Sequence, residues 1–401
     1  MTAEIKFRLP SDKSWREIDL ETGTEGKGPD EEEAKKTETN KSNLNNYLLS
    51  SLQMQNIMVL AGSGTSLGNP GGPSMSDLWD VCTKESENEG YTEQAEGNFE
   101  RVHYSLHNNG ENIEDLLSNC EAVLQIYPEG EDIAQFLKFC KDNILRECGF
   151  ETNDISLEAH KTFLHRLSRR RVRDPRVNLF TTNYDTCFET AAAKQGIVVI
   201  DGFSFTKPRY YDPCFFDYDI VRRKSSGEEH SNYLEGVIKL YKLHGSVNWA
   251  RKDGKILEEK ASGENACLIF PAKGKYQQSY IQPHLELMAK FLFALREPNT
   301  CLIICGFGFN DEHLSGPIIS AISNNPHLKV IVVDINAEKK FDQFDNNQHL
   351  KELIDFSKKG EDICFINTSF QGFANLIPNL HSLTAADMLA KNIQNVCEGN
   401  D

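Results

Sequence analysis

Ile57-Met58-Val59-Leu60-Ala61-Gly62-Ser63-Gly64-Thr65-Ser66-Leu67-Gly68 is the stretch on which the fold of this chain turns. Five consecutive apolar residues, Ile57 to Ala61, are too few for a helix and end in glycine. They read as a strand buried on both faces. The same arrangement recurs downstream. Val177–Phe180 runs into Thr181-Thr182-Asn183-Tyr184-Asp185, and Val237–Leu243 into His244-Gly245-Ser246. Cys301–Cys305 runs into Gly306-Phe307-Gly308-Phe309-Asn310-Asp311, and Lys329–Val333 into Asp334-Ile335-Asn336. Val198–Ile200, Cys267–Phe270 and Asp362–Ile366 are further strand candidates. Helical spacing lies between them: Leu44, Tyr47, Leu48 and Leu52; Phe163, Leu164 and Leu167; then residues 185–194, 283–296 and 311–323. This alternation predicts an α/β protein with a Rossmann-like parallel sheet and helices on both faces. From Leu78 to Cys148 the pattern is helical with no convincing strand, which predicts a helical insertion over about residues 76–150.

The chain has 401 residues, of which 39% are apolar. That is enough for a sizeable core and excludes wholesale disorder. A net charge of −17 argues against nucleic acid as a direct partner, since the overall field repels phosphate. The basic run Arg166–Arg176 reads as a solvated helix end. No apolar run approaches the roughly 20 residues needed to cross a bilayer, and no secretory signal is visible at the start. Eleven scattered cysteines then suggest reduced thiols and a cytoplasmic protein. Glu21–Asn43 is polar and acidic and reads as a flexible linker. With the preceding Ile5, Phe7, Leu9, Trp15, Ile18 and Leu20 it defines an arm, residues 1–43, read as docking on another surface, with a disordered start or folding back on its own subunit as the alternatives. The main domain then spans 44–380, followed by a tail, 381–401.

Ligands of such sheets sit beyond the C-terminal strand ends. In the turn after Ala61, the glycines Gly62 and Gly64 permit close backbone approach to a pyrophosphate. The amides and hydroxyls of Ser63, Thr65 and Ser66 can donate to it. The pattern is G-x-G-x-x-x-G without a P-loop lysine, which argues against a nucleotide triphosphatase. Asp185 is a good N-cap for the helix after it. Asn183 is not needed for that cap and lies where a ligand would sit. His244, before a glycine, can titrate near neutrality within reach of a ligand. Asp334 and Asn336 could hold a ribose diol and an adenine edge. Each motif alone also has a structural explanation, as a turn or a cap.

In order, the five motifs AGSGTS, TTNYD, LHGS, CGFGFND and VVDIN resemble the sirtuin family over roughly residues 50–370. They are most similar to its divergent branch in bacterial antiphage defence. The resemblance implies NAD+ as substrate, with Asn183 and His244 catalytic. It implies that Ala61 to Ser66, Thr182, Asp185, Gly306, Phe307, Gly308, Asp334 and Asn336 hold the dinucleotide. Deacylating sirtuins carry a zinc module of two C-x-x-C pairs, and no C-x-x-C occurs here, so no metal is expected. LHGSVNWARKDGK also lacks a recognisable acyl-peptide channel motif. The expectation is therefore an NAD+ glycohydrolase that depletes NAD during abortive infection. It would act as a homo-oligomer partnered by a HerA-type hexameric ATPase. A protein deacylase and a non-catalytic NAD or ADP-ribose sensor are the alternatives.

Overall fold

The computed structural model describes residues 5–19, 31–85, 90–152, 156–171, 174–222, 232–272, 281–343 and 347–379. Nine strands form its central sheet: β1 (Ile5–Arg8), β2 (Arg16–Ile18), β3 (Asn56–Ala61), β4 (Val177–Thr181), β5 (Val198–Ile200), β6 (Val237–Lys242), β7 (Thr300–Cys305), β8 (Leu328–Asp334) and β9 (Ile363–Asn367). Their order is β2-β1-β9-β8-β7-β3-β4-β6-β5. The seven from β9 to β5 run parallel, as the alternation predicts. β1 and β2 add an antiparallel hairpin at the β9 edge.

The central strands β3 and β7 are apolar from Ile57 to Ala61 and from Cys301 to Cys305 because both faces are covered. Ile57, Val59, Leu179, Ile303 and Ile331 share one core with helices Glu31–Leu52, Glu158–Ser168, Cys187–Lys194 and Phe370–Leu376. Met58, Leu60, Phe180, Leu302, Ile304 and Val330 share the other with helices His284–Arg296, Glu312–Asn324 and Gln348–Lys359. Successive side chains point to opposite faces, so each strand feeds both cores.

Strand order reverses between β3 and β7: β4, β6 and β5 lie to one side, β8 and β9 to the other. This is the switch point at which open α/β sheets bind ligands. Here two glycine turns are pressed together. A Cβ on Gly62 would lie 2.6 Å from the Gly306 carbonyl oxygen, and one on Gly64 would lie 2.7 Å from the Gly306 Cα. Gly306 itself has φ of +59° and would place a Cβ 2.6 Å from Gly64. The hydrogen-bond ladder continues past the strand ends. Gly306 N–H donates to Val333 O (3.0 Å), Gly62 N–H to Cys305 O (2.9 Å), Thr182 N–H to Ala61 O (3.1 Å) and Leu243 N–H to Thr181 O (2.8 Å).

Two expectations need correction. The segment read as linker is helical from Glu31 onward, and that helix continues to Leu52; residues 20–30 lie outside the described residues. The polar first half is carried by an anchored second half, in which Leu44, Leu48 and Leu52 are buried. Asn40 also donates to Glu17 O at 2.9 Å. The second correction concerns the arm, which folds onto its own chain. Ile5, Phe7 and Ile18 enter the first core, and Trp15 packs edge-on against Phe341 at 5.7 Å. The tail 381–401 lies outside the described residues.

Helices Met75–Thr83, Glu93–Arg101, Ile113–Ile126 and Glu131–Cys148 form the expected insertion, with a core of their own around Trp79, Phe99, Tyr104 and Phe136. A three-stranded antiparallel sheet joins Lys255–Glu258, Gly245–Lys252 and Ala266–Leu268; of these only the last overlaps an expected strand, Cys267–Phe270. The ten cysteines among the described residues are unbridged, and no helix there is long and apolar enough to cross a membrane.

Phe7→Ala should cost about 3–5 kcal/mol, because it empties a fully buried site. Chemical denaturation tests this, and an unchanged midpoint would place the arm outside the core. Gly306→Ala combines a strained φ with a backbone clash and should cost about 1–3 kcal/mol. Gly316→Ala, whose Cβ meets nothing within 4 Å, should be neutral or mildly stabilising in the same assay.

Candidate functional site

Beyond the C-terminal ends of β3, β4, β6 and β7 lies a cavity of about 240 Å³. Ser63 and Ser66 reach it from the first glycine turn, Thr182, Asn183, Tyr184 and Asp185 from the turn after β4, and His244 from the end of β6. Phe307, Gly308, Asn310 and Asp311 follow β7. The helical insertion supplies more of the wall through Met75, Leu78, Glu114 and Cys148. The charged lining residues are Glu114, Asp185 and Asp311, and among the described residues no lysine or arginine lines the cavity.

Asn183 is buried and its orientation is fixed by two hydroxyls. Its Nδ2 lies 3.0 Å from both Thr65 Oγ1 and Ser66 Oγ. Thr65 Oγ1 donates to Gly62 O at 2.8 Å, so it must accept from Asn183. The amide nitrogen is therefore the end that faces the hydroxyls. Oδ1 remains the end with acceptor capacity for a ligand or a water. Beneath this turn, buried Lys242 donates to the Asp185 carbonyl and pairs with Glu189 at 3.0 Å. Asp185 is not the N-cap that the sequence suggests: Thr186 holds that position without a side-chain cap bond, and Asp185 Oδ1 accepts from the Cys187 N–H at 2.9 Å from one residue earlier.

His244 is held from both sides. Ile269 N–H donates to its carbonyl at 3.0 Å, and His284 Nδ1 lies 3.0 Å from Leu243 O. Burial holds His284 down to about 4, so this second imidazole is neutral across the physiological range. Gly245, at φ of +82°, lets the small sheet pass: a Cβ there would lie 2.0 Å from Cys267 O. That glycine serves backbone packing rather than ligand access. On the ligand side, His244 Nε2 faces His313 Nε2 at 3.1 Å, with the ring centroids 5.2 Å apart and the ring planes inclined at 29°. A direct hydrogen bond there requires one ring to donate and the other to accept.

The structure thus brings Ser63, Ser66, Thr182, Asn183, Asp185, His244, Phe307 and Gly308 to one cavity. Ala61, Gly62, Gly64, Thr65 and Gly306 stand behind it. Their expected role changes, because the amides of Gly62, Gly64, Thr65, Ser66 and Leu67 all donate within the protein. The glycines permit the approach of the two turns, and what the first turn offers a ligand is its serine hydroxyls. Asp334 and Asn336 are not brought to the cavity. Asp334 lies across Phe307 beside a much smaller void. Its carboxylate accepts from the Asn336 N–H at 2.7 Å and pairs with Lys340 at 2.8 Å.

Sequence reasoning missed Tyr184, Glu114, Asp311 and His313. Tyr184 donates to Ile269 O at 2.6 Å, and burial pushes its phenol well above the ordinary value. Asp311 and His313 stand two apart just after the second glycine turn, a D-x-H spacing that could have been noticed. Glu114 carried no such signal, because it sits on an insertion remote in sequence from every motif.

No curated protein matches this sequence. Solved sirtuin structures are similar at 11–13% identity. A Sir2 homologue in complex with NAD gives a TM-score of 0.41 at 13% identity, covering 83% of this chain and 91% of the other. A Sir2 complex with a p53 peptide and NAD+ gives 0.35 at 12%, covering 82% and 94%. A mutant Sir2 homologue with 2'-O-acetyl-ADP-ribose gives 0.38 at 12%, covering 83% and 94%. By sequence, residues 177–356, from β4 into the helix before β9, match the family model of the SIR2-like domain.

Proposed function

We propose that this chain cleaves NAD+ between nicotinamide and ribose, with water as acceptor, releasing nicotinamide, ADP-ribose and a proton. The observation that carries this reading is the make-up of the cavity at the switch point. Asn183 and His244 share it with serine hydroxyls and three carboxylates, and no lysine or arginine lines it among the described residues. A cavity of about 240 Å³ suits a pyridinium ring and its ribose better than a whole dinucleotide. Acidic walls favour that cationic ring, and they favour the positive charge that develops on the ribose as the bond breaks. The ring leaves neutral, so no general acid is needed.

Asn183, with its nitrogen committed to Thr65 and Ser66, presents a carbonyl oxygen that can hold the attacking water. His244 orients or deprotonates that water or a ribose hydroxyl. General-base assistance is typically worth about 100- to 10,000-fold. Asn183→Ala and His244→Ala should therefore each lower nicotinamide release by at least about 100-fold. Thermal melts should report that both variants are folded.

Chromatography of products from purified full-length protein tests the reading. Nicotinamide and ADP-ribose formed without any peptide support it. Acyl-ADP-ribose formed only with acyl-peptide would make the chain a deacylase and overturn it. So would NAD that binds and stays intact, the behaviour of a sensor. The match to the SIR2-like domain model over residues 177–356 supports an NAD-related activity. We extend the proposal, on the motif resemblance alone, to NAD depletion in antiphage defence by a homo-oligomer with a HerA-type ATPase. Light scattering of the pure chain and co-purification with such an ATPase test that extension.

A further inference from the structure

We propose that His244, Asp311 and His313 form a binding site for a divalent transition ion of the zinc type. One ligand atom from each lies within 4.8 Å of the other two. Two imidazole nitrogens approach each other end-on at 3.1 Å, and both rings are buried. Ordinary metal–imidazole bonds of about 2.0–2.1 Å place neighbouring ligand nitrogens roughly 3.0–3.4 Å apart, so the pair already stands at coordination spacing. The carboxylate of Asp311 completes a facial set of two histidines and one acid. Imidazole donors select zinc, cobalt, nickel or iron over magnesium and calcium, which prefer all-oxygen shells.

The scaffold holds these groups independently of any ion. His244 closes β6, fixed through its carbonyl by Ile269. Asp311 and His313 flank the start of helix Glu312–Asn324, whose Ser315 Oγ donates to Phe309 O at 3.1 Å. His244 and Asp311 both line the cavity, so further coordination positions are open to water or a small ligand. Three protein ligands plus an open position is the arrangement of a site that can take a water or a small ligand, rather than a closed structural one.

A consequence rests on the proposed function. A His244 nitrogen that binds a metal ion has no lone pair for a proton, so occupancy and general-base action exclude one another. Transition ions would then act as reversible inhibitors of NAD cleavage.

Metal-stripped full-length protein, dialysed against Zn2+ at micromolar concentration, should take up one ion per chain at this site. Bound Co2+ should show visible absorption that is stronger and at longer wavelength than that of aqueous Co2+, as four-coordination by imidazole, carboxylate and water requires. His313→Asn and Asp311→Asn should each weaken Zn2+ binding at least about tenfold, since even outer-shell changes cost that much. Melts without metal confirm that the variants fold, and the Co2+ spectrum of the wild type reads the ligand set if one does not. No stoichiometric uptake by the wild type, or equal uptake by both folded variants, would overturn the site and leave a bare histidine pair. Zn2+ should slow NAD cleavage in proportion to occupancy, with recovery on chelation. Undiminished or metal-stimulated cleavage at full occupancy would overturn the mutual exclusion. Stoichiometric Zn2+ binding by a protein that never cleaves NAD would support the site while the proposed function fails.

Discussion

At the C-terminal edge of the sheet, each turn donates its first amide to the last carbonyl of the neighbouring strand. The series runs from Leu243 to Thr181, from Thr182 to Ala61, from Gly62 to Cys305 and from Gly306 to Val333. Five turns are thereby fixed in mutual register at the level of the backbone. At the point where strand order reverses, the two glycine turns touch with no side chain between them. Everything on this edge inherits its position from that contact. Asn183 can reach Thr65 and Ser66 only because the turn after β4 is hydrogen-bonded to the end of β3.

The glycines are thus a packing device first. They let two turns from adjacent parallel strands close on each other, and the polar side chains around them open onto the ligand space. This division explains a cavity whose amides are largely spent while its hydroxyls, amide oxygen, imidazole and carboxylates remain. The helical insertion adds to this division of labour. Its aromatic core also takes in Leu268 and Phe270, and Tyr184 and Val247 pack against it, so the insertion is seated on the small sheet and on the turn after β4. It contributes Met75, Leu78, Glu114 and Cys148 to the wall opposite the strand ends.

The parallel sheet was legible because strands covered on both faces are apolar at every position, and Ile57–Ala61 or Cys301–Cys305 carry that pattern without interruption. The insertion was legible from helical stripes such as Leu116 and Leu117, which are indeed buried. Asn183 and His244 could be placed at strand ends by counting from those runs. The small sheet was missed, although Asp253-Gly254, both at positive φ, mark a tight hairpin between Lys252 and Lys255. Polar residues on its exposed face hid the alternation. The arm was misread because a strand pairing 361 positions away, Lys6 with Asn367, leaves no local trace. Asp334 was assigned a ligand on position alone, whereas Lys340, one and a half turns on, takes its charge.

The pairing of Lys6 with Asn367 sets a schedule for synthesis. β1 is the first strand to be made, and the strand it pairs with, β9, is the last. Ile5 and Phe7 have no sheet to join until nearly the whole chain has left the ribosome. The parallel interior, by contrast, can assemble as soon as β8 is complete. The nascent protein therefore carries an apolar N-terminal segment with an unsatisfied edge through most of its elongation, the condition under which strands are captured by wrong partners or by chaperones. Closing the sheet with Ile5–Arg8 also means that bulk placed directly before Ile5 competes with this late pairing step.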